Sequence, residues 1–266
     1  MRAGLSLPIF DSLADPDLLA DLSAEAEQAG WRGVFLWDHL RYRPPAVAAT
    51  DPWTALAAIA VRTERILLGP MVTPLARRRP QVVARQLAAL DHLSGGRVVF
   101  GAGLGMDSSG EEFRRFGEET DPVRRAAMLD EGLEVLTGLL SGHEVDYRGE
   151  HFTVDRVAYR PQPVQEHLPI WLAARWPNRR PLRRAARYDG VYVIDVTPAD
   201  AAAAVAVIDE IRAGDLEGFD VVVHDRAGAD PAPWRVAGAT WLLTTFDPFA
   251  VTPAEVRSAI ARGPST

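Results

Sequence analysis

From Arg62 to Gly105 the chain carries two apolar bursts separated by one long amphipathic segment, and that unit sets the pattern for the rest. Ile66 to Val72 is apolar without alternation, as expected of a strand buried on both faces. Pro80 then opens a helix in which Val83, Leu87 and Leu90 fall at i, i+4 and i+7, and Ser94-Gly95-Gly96 stops it. The second burst, Arg97 to Gly101, runs on into Gly103 and Gly105. A connection of that length makes the two strands parallel and the crossover right-handed.

The same plan repeats along the chain. Strands are expected at Ala3–Ile9, Gly33–Trp37, Ile66–Val72, Val98–Gly101, Pro169–Ala173, Gly190–Ile194, Phe219–His224 and Thr240–Thr245. Helices are expected at Asp15–Ala29, Asp51–Arg62, Pro80–Leu93, Val123–Leu140, Pro181–Tyr188, Pro198–Ala213 and Pro253–Arg262, many opened by Asp or Pro. Strand and helix alternating in this way predict an α/β fold, and eight strands favour a closed (β/α)8 TIM barrel over residues 1–266 as a single domain. Two segments depart from the repeat. Between His143 and Glu166, strand-like alternation around Arg148-Gly149 predicts a short β-hairpin inserted before the fifth strand. Asp225 to Gly238 is rich in Gly and Pro, so the seventh helix is missing or very short and the C-terminal part is reduced.

Composition narrows the chemistry. With 266 residues, 47% of them hydrophobic, the chain can bury one large core. A formal charge of -7 argues against nucleic acid or an anionic membrane as partner, because their phosphates would repel the chain. The absence of cysteine removes disulfides, thiolate zinc sites, iron–sulfur clusters and a Cys nucleophile. The six histidines are scattered without HExxH spacing, so no catalytic metal is expected. Ser108-Ser109, in GMDSSG, lacks the nucleophile-elbow spacing of GxSxG. No run approaches the ~20 apolar residues of a membrane span, nor is there a signal-peptide pattern, and the expected location is the cytoplasm.

The run LGPMVTPLARRRPQVVARQLAALDHLSGGRVVFGAGLG, with Trp37-Asp38-His39 before it and Glu111-Glu112-Phe113 after it, resembles the bacterial luciferase-like flavin-dependent oxidoreductases. The likeness covers roughly Ala3 to Val193; beyond Thr197 only length and plan agree. It implies a barrel that binds FMN or the deazaflavin coenzyme F420 and acts on a small organic substrate. With reduced FMN the activity implied is monooxygenation, with NAD(P)H as an indirect reductant; with F420 it is hydride transfer. In that family the insertion before strand five borders the active-site mouth. Here it is compact, as in a trimmed member with a more open pocket.

In a parallel barrel the active site lies at the C-terminal ends of the strands. Trp37, Asp38 and His39 end the second strand there, and an imidazole can titrate near neutral pH and act as donor or base. The bland alternative makes Asp38 a turn cap and His39 a solvated loop residue. The resemblance places Asp38 and His39 beside the flavin ring, with Trp37 toward the substrate. It also places a non-proline cis peptide at Met71–Val72, next to Thr73, behind the ring. Gly101-Ala102-Gly103-Leu104-Gly105 follows a strand but has GxGxG spacing, which is weak evidence for a dinucleotide. In the family these residues, Gly103 and Leu104 among them, let backbone approach the ring edge. Some deazaflavin-dependent sugar-phosphate dehydrogenases carry a glutamate directly after this pattern. Met106 stands there instead, which argues against sugar-phosphate oxidation.

After strand five, Ala174, Arg175, Asn178 and Arg179 precede a helix whose N-terminus and guanidinium groups suit a cofactor phosphate. Arg183, Arg184 and Arg187 read as solvated salt-bridge formers. Arg77, Arg78 and Arg79 either meet an acidic cofactor tail or form a soluble loop. Asp195 and His224 end strands six and seven and either bind substrate or cap loops. A phosphate-binding barrel lyase or isomerase is the rival enzyme class, and a flavin-binding relative without activity is the non-enzymatic one. A small-molecule substrate is the expected partner, and a homodimer is left open.

Overall fold

The computed structural model describes residues 1–107 and 111–264; Ser108 and Ser109 lie outside the described residues. In chain order the strands are β1 (Arg2–Leu7), β2 (Gly33–Leu36), β3 (Leu67–Pro70), β4 (Thr73–Pro74), β5 (Phe100–Gly103), β6 (Val145–Arg148), β7 (Thr153–Val157), β8 (Ile170–Ala174), β9 (Gly190–Val193), β10 (Asp220–Arg226) and β11 (Trp241–Thr245). The helices are α1 (Pro16–Gln28), α2 (Pro52–Arg62), α3 (Pro80–Ser94), α4 (Pro122–Leu140), α5 (Arg179–Ala185), α6 (Pro198–Ile211), α7 (Ala232–Val236) and α8 (Pro253–Ala261). Five helix entries follow one recipe. Asp15, Asp51, Asp121, Thr197 and Thr252 each accept a first-turn N–H, and a proline follows each.

Nine parallel segments pair in the order β3-β2-β1-β11-β10-β9-β8-β5-β4. β3 and β4 occupy one barrel position, interrupted at Met71–Val72, whose peptide is cis. β4 pairs with β5 through Thr73 and Ala102, while Leu68 bridges to Val98, so β3 also meets the chain entering β5 and the ring closes. The eight expected strand positions are therefore those of a (β/α)8 barrel, with ends shifted by a few residues. The seventh helix exists as α7, five residues long, and the expected insertion is the antiparallel hairpin β6–β7. Its turn is tied to the barrel by Glu131 on α4, whose carboxylate accepts from the N–H groups of Glu150, His151 and Phe152. Among the described residues, no helix is long and apolar enough to cross a membrane.

Two apolar layers hold the ring. Outside, strand residues such as Leu5, Val34, Leu68, Phe100 and Leu172 pack against the helices. Inside, Phe35, Met71, Val99, Trp171, Tyr192, Val222, Trp241 and Leu243 fill the barrel, with the Phe35, Trp171 and Trp241 rings in tilted or edge-to-face contact at centroid distances of 5.4 to 6.0 Å. Such bulk fits because neighbouring inward positions are glycine. At Gly69 a Cβ would lie 1.8 Å from the Val99 carbonyl oxygen, so the closing strands approach only without a side chain there.

Candidate active site

The loops after β2, β4 and β5 meet in a buried ionic chain. Asp38 is 1% exposed. Its carboxylate accepts from Arg78 Nε (2.9 Å) and Nη2 (2.6 Å), Thr73 Oγ1 (2.8 Å), Trp53 Nε1 (3.3 Å) and Arg77 Nη2 (3.3 Å). Arg77 also donates Nη2 to the Asp38 carbonyl at 3.0 Å and Nη1 to Glu112 Oε1 at 3.0 Å. Glu112 Oε1 accepts in addition from the Leu40 N–H at 2.7 Å, and its Oε2 lies 2.7 Å from His39 Nδ1. Buried charges persist when paired and hydrogen-bonded, and here each carboxylate meets a guanidinium and further donors. Glu112 is set in place by Asp107, whose carboxylate accepts from the N–H groups of Glu112, Phe113 and Arg114. Burial pushes the Asp107 carboxyl up, but those three donors outweigh it and hold it below its ordinary value.

His39 stands at the exposed end of this chain. Its ring packs among Phe10, Trp37 and Tyr42 at centroid distances of 5.6, 6.0 and 5.1 Å. With Nδ1–H donated to the Glu112 carboxylate, Nε2 is left with its lone pair, the arrangement of a proton acceptor. Trp37 donates Nε1 to Ser6 Oγ at 3.0 Å, which fixes its indole across the end of β1.

The opposite lip is built from β9 and β10. His224 Nδ1 lies 2.6 Å from the Tyr192 hydroxyl, and Nε2 lies 3.2 Å from Asp195 Oδ1. Asp195 Oδ2 accepts from Arg175 Nη1 at 2.5 Å. The His224 hydrogen bond lowers the Asp195 carboxyl to about 2; burial opposes this and Arg175 adds to it. Tyr42 joins the lips. Burial raises its phenol, and both Asp195 and Glu112 lie near enough to add to that rise. A cleft of about 580 Å³ opens beside His224, lined by Asp195, Thr197, Asp225, Trp234 and Thr245 among others.

Between the lips, small residues form a floor. A Cβ at Gly103 would lie 3.0 Å from Val72 Cγ2 and 3.1 Å from Ala173 Cβ, so the ends of β4, β5 and β8 close into one apolar surface.

A family model described as luciferase-like monooxygenase matches residues 2–241. The chain belongs to that family. It is 34% identical over 166 residues to an F420-dependent glucose-6-phosphate dehydrogenase of Nakamurella multipartita, covering 61% of this chain and 48% of that one. An F420-dependent hydroxymycolic acid dehydrogenase of Mycobacterium tuberculosis is 32% identical over 241 residues, covering 84% of this chain and 64% of the relative. The chain spans about half to two thirds of the length of these curated relatives. The solved F420-dependent tetrahydromethanopterin reductase of Methanopyrus kandleri superimposes with a TM-score of 0.77 at 19% identity, over 99% of this chain and 98% of that one. At that identity the likeness speaks for the fold alone.

In this luciferase-like chain the residues singled out from sequence separate into three groups. Trp37, His39, Val72, Gly103, Asp195 and His224 face the mouth or its floor. A second group lies beneath it. Asp38 is covered by Arg77 and Arg78 and is an anchor rather than a rim acid. Thr73 is buried with its hydroxyl on Asp38, and Met71 fills the barrel interior. A third group points elsewhere. Leu104 and Ala174 pack against the helical layer. Asn178 caps α5, and Arg179 pairs with Glu210 of α6 at 3.1 Å, which turns its guanidinium to the outer helices. With Arg179 drawn away and α5 only seven residues long, the phosphate seat expected here is reduced to Arg175, itself paired with Asp195.

Of the arginine run, Arg77 is buried between Asp38 and Glu112 and Arg78 holds Asp38, so these two do not form a solvated loop, whereas Arg79 is exposed. Arg184 and Arg187 both pair with Asp130; Arg187 is exposed as expected, whereas the Arg184 side chain is nearly buried rather than solvated. Sequence reasoning missed the roles of Glu112, Tyr42 and Tyr192. Glu112 was in view only as part of a motif, and its partner His39 lies 73 positions away.

Proposed function

We propose that the protein is an oxidoreductase that transfers hydride between F420 and a small organic substrate at this mouth. One observation carries the reading: His39, with Nδ1 held by Glu112, stands at the rim of an apolar floor formed by Val72, Gly103 and Ala173. The floor suits a planar ring, since a single Cβ at Gly103 would already be in close contact on two sides. Val72, Gly103 and Ala173 would hold the ring, with Trp37 and Tyr42 beside it. F420 is favoured over FMN because curated relatives at 32% and 34% identity are named as F420-dependent dehydrogenases. Bound there, F420 would supply the hydride-carrying carbon, whereas FMN would bring reaction with oxygen.

The protein's own part is proton handling and orientation. Glu112 fixes the tautomer of His39, and the free Nε2 accepts the proton of a substrate hydroxyl as its carbon is oxidised, or returns it in the reverse direction. Arg77 and Asp38 keep Glu112 in register without touching substrate. The Phe10, Trp37 and Tyr42 rings pack around the His39 ring and hold its orientation.

Titration of the purified protein with F420 and, separately, FMN tests the reading. Saturable binding of F420 in the micromolar range, at least tenfold tighter than FMN, is expected, where about 1.4 kcal/mol corresponds to tenfold. His39→Asn is expected to keep F420 affinity and to slow single-turnover reduction of the bound ring by roughly 10²–10⁴-fold. Tighter binding of FMN moves the activity to monooxygenation, and binding of neither ring refutes the proposal.

A further inference from the structure

Ser6 is the next-to-last residue of β1 and is fully buried. Leu5 and Leu7 on either side of it pack into the helical layer, so Ser6 points into the barrel, level with Phe35 of β2 and Thr245 of β11. Trp37 is the next inward position after Phe35, and its Nε1 donates to Ser6 Oγ at 3.0 Å. We propose that Ser6 is a positioning residue that holds the Trp37 indole as a carbon-faced wall beside His39, and that this wall selects a substrate with an apolar substituent on its reacting carbon.

Burial makes the tie firm. An indole has one polar hydrogen, and Ser6 takes it out of contact with solvent. The Ser6 hydroxyl also lies beside that of Tyr192, which sits 2.6 Å from His224 Nδ1, so the serine is itself held from the far side. Trp37 is only half-buried, and with its N–H turned down onto Ser6 the part left open carries ring carbons alone.

The wall is one side of a corner. The Trp37, His39 and Tyr42 rings lie 5.1 to 6.0 Å apart, centre to centre, and are tilted against one another by 53° to 73°, so they form a corner instead of a stack. A substrate hydroxyl on His39 Nε2, at the usual ~2.8 Å, brings the substituents of its carbon against these rings. The polar groups at the edge of the corner have partners of their own. Glu112 is taken by Arg77, the Leu40 N–H and His39 Nδ1, Asp195 pairs with Arg175, and the Tyr42 hydroxyl lies beside Arg43. A hydroxyl carried on the substituent would therefore lose water and gain no partner from Trp37, whereas an alkyl or aryl group loses nothing. The substrate class, apolar alcohols and ketones as opposed to polyols, rests on the oxidoreductase reading above; the tie between Ser6 and Trp37 stands on its own geometry.

The test uses the full chain without cofactor, so its failure is separable from a failure to bind F420. Among the seven tryptophans, the Trp37 indole N–H is identified in ¹⁵N–¹H NMR as the signal missing from Trp37→Phe. Ser6→Ala is expected to speed its hydrogen exchange at least tenfold and to leave the exchange of the other indoles unchanged. Cyclohexanol is expected to shift the Trp37 signal saturably, and glycerol at equal concentration to leave it in place. Ser6→Ala is expected to weaken cyclohexanol binding about fivefold in the otherwise wild-type chain, and to have no effect in the Trp37→Phe background, where there is no N–H to hold. Should Ser6→Ala fail to fold, Trp37→Phe alone is expected to weaken cyclohexanol at least fivefold. Unchanged indole exchange in Ser6→Ala, a glycerol response equal to that of cyclohexanol, a fivefold loss that persists in the Trp37→Phe background, or a Trp37→Phe chain that binds cyclohexanol like wild type overturns the proposal.

Discussion

Arg77→Met removes the cation that joins Asp38 to Glu112 while keeping most of the side chain's apolar bulk. The Arg77 side chain is 1% exposed and those of Asp38 and Glu112 are 0% and 5% exposed, so the change leaves two buried carboxylates with fewer partners. Deleting one member of a buried pair costs roughly 3–5 kcal/mol. The lower end applies, because Asp38 keeps Arg78, Thr73 and Trp53, and Glu112 keeps the Leu40 N–H and His39. A loss of about 3 kcal/mol in a protein of this size lowers Tm by roughly 6–12 °C. Urea unfolding followed by tryptophan fluorescence measures it, since seven tryptophans report on the barrel. The double variant Arg77→Met/Glu112→Gln separates charge from packing: removing the stranded carboxylate should return about 1–3 kcal/mol relative to additivity. A single variant within about 0.5 kcal/mol of wild type, the range of ordinary surface changes, would refute the view that Arg77 carries this corner of the mouth.

Three further outcomes follow from other parts of the fold. The Asp195 carboxyl is lowered to about 2 by His224, so its contribution to stability is present above about pH 4 and is lost as pH falls through 2. Because the group is more than half exposed, that contribution is below about 1 kcal/mol, and Asp195→Asn should flatten the acid limb of a stability-versus-pH series while matching wild type at pH 2. Gly101→Ala puts a methyl 2.4 Å from the Pro70 carbonyl oxygen and should cost about 3 kcal/mol or more, against about 1–2 kcal/mol for Gly95→Ala, where positive φ is strained but space is open. Glu131→Ala should speed hydrogen exchange of the Glu150, His151 and Phe152 amides by at least tenfold with little change in global Tm, since it frees the hairpin turn from α4.

Strand positions and most helix entries are written in local signals. Asp51-Pro52, Asp121-Pro122 and Thr197-Pro198 each combine a cap with a first-turn proline, and β2, β5 and β9 are short runs buried throughout. Side-chain roles at the mouth are a different kind of information. Ala173 and Ala174 are adjacent and chemically identical, yet one faces the floor and the other the helices, and a one-residue shift in strand end exchanges them. Arg77 reads as surface charge in sequence because its two acids come from positions 38 and 112. Arg179 reads as a phosphate ligand because Glu210, which takes it, lies on the following helix.

At His39 a carboxylate faces Nδ1, so that nitrogen donates and Nε2 is left to accept. A substrate hydroxyl is complementary to that arrangement. Reversing its sense is therefore a sharper perturbation than deleting the ring. In Glu112→Gln the amide can present its N–H₂ to His39 Nδ1 and move the ring proton to Nε2, which turns this lip into a donor. That variant should keep ring binding and lose proton transfer to a comparable degree as His39→Asn, and single-turnover reduction of the bound ring measures the loss.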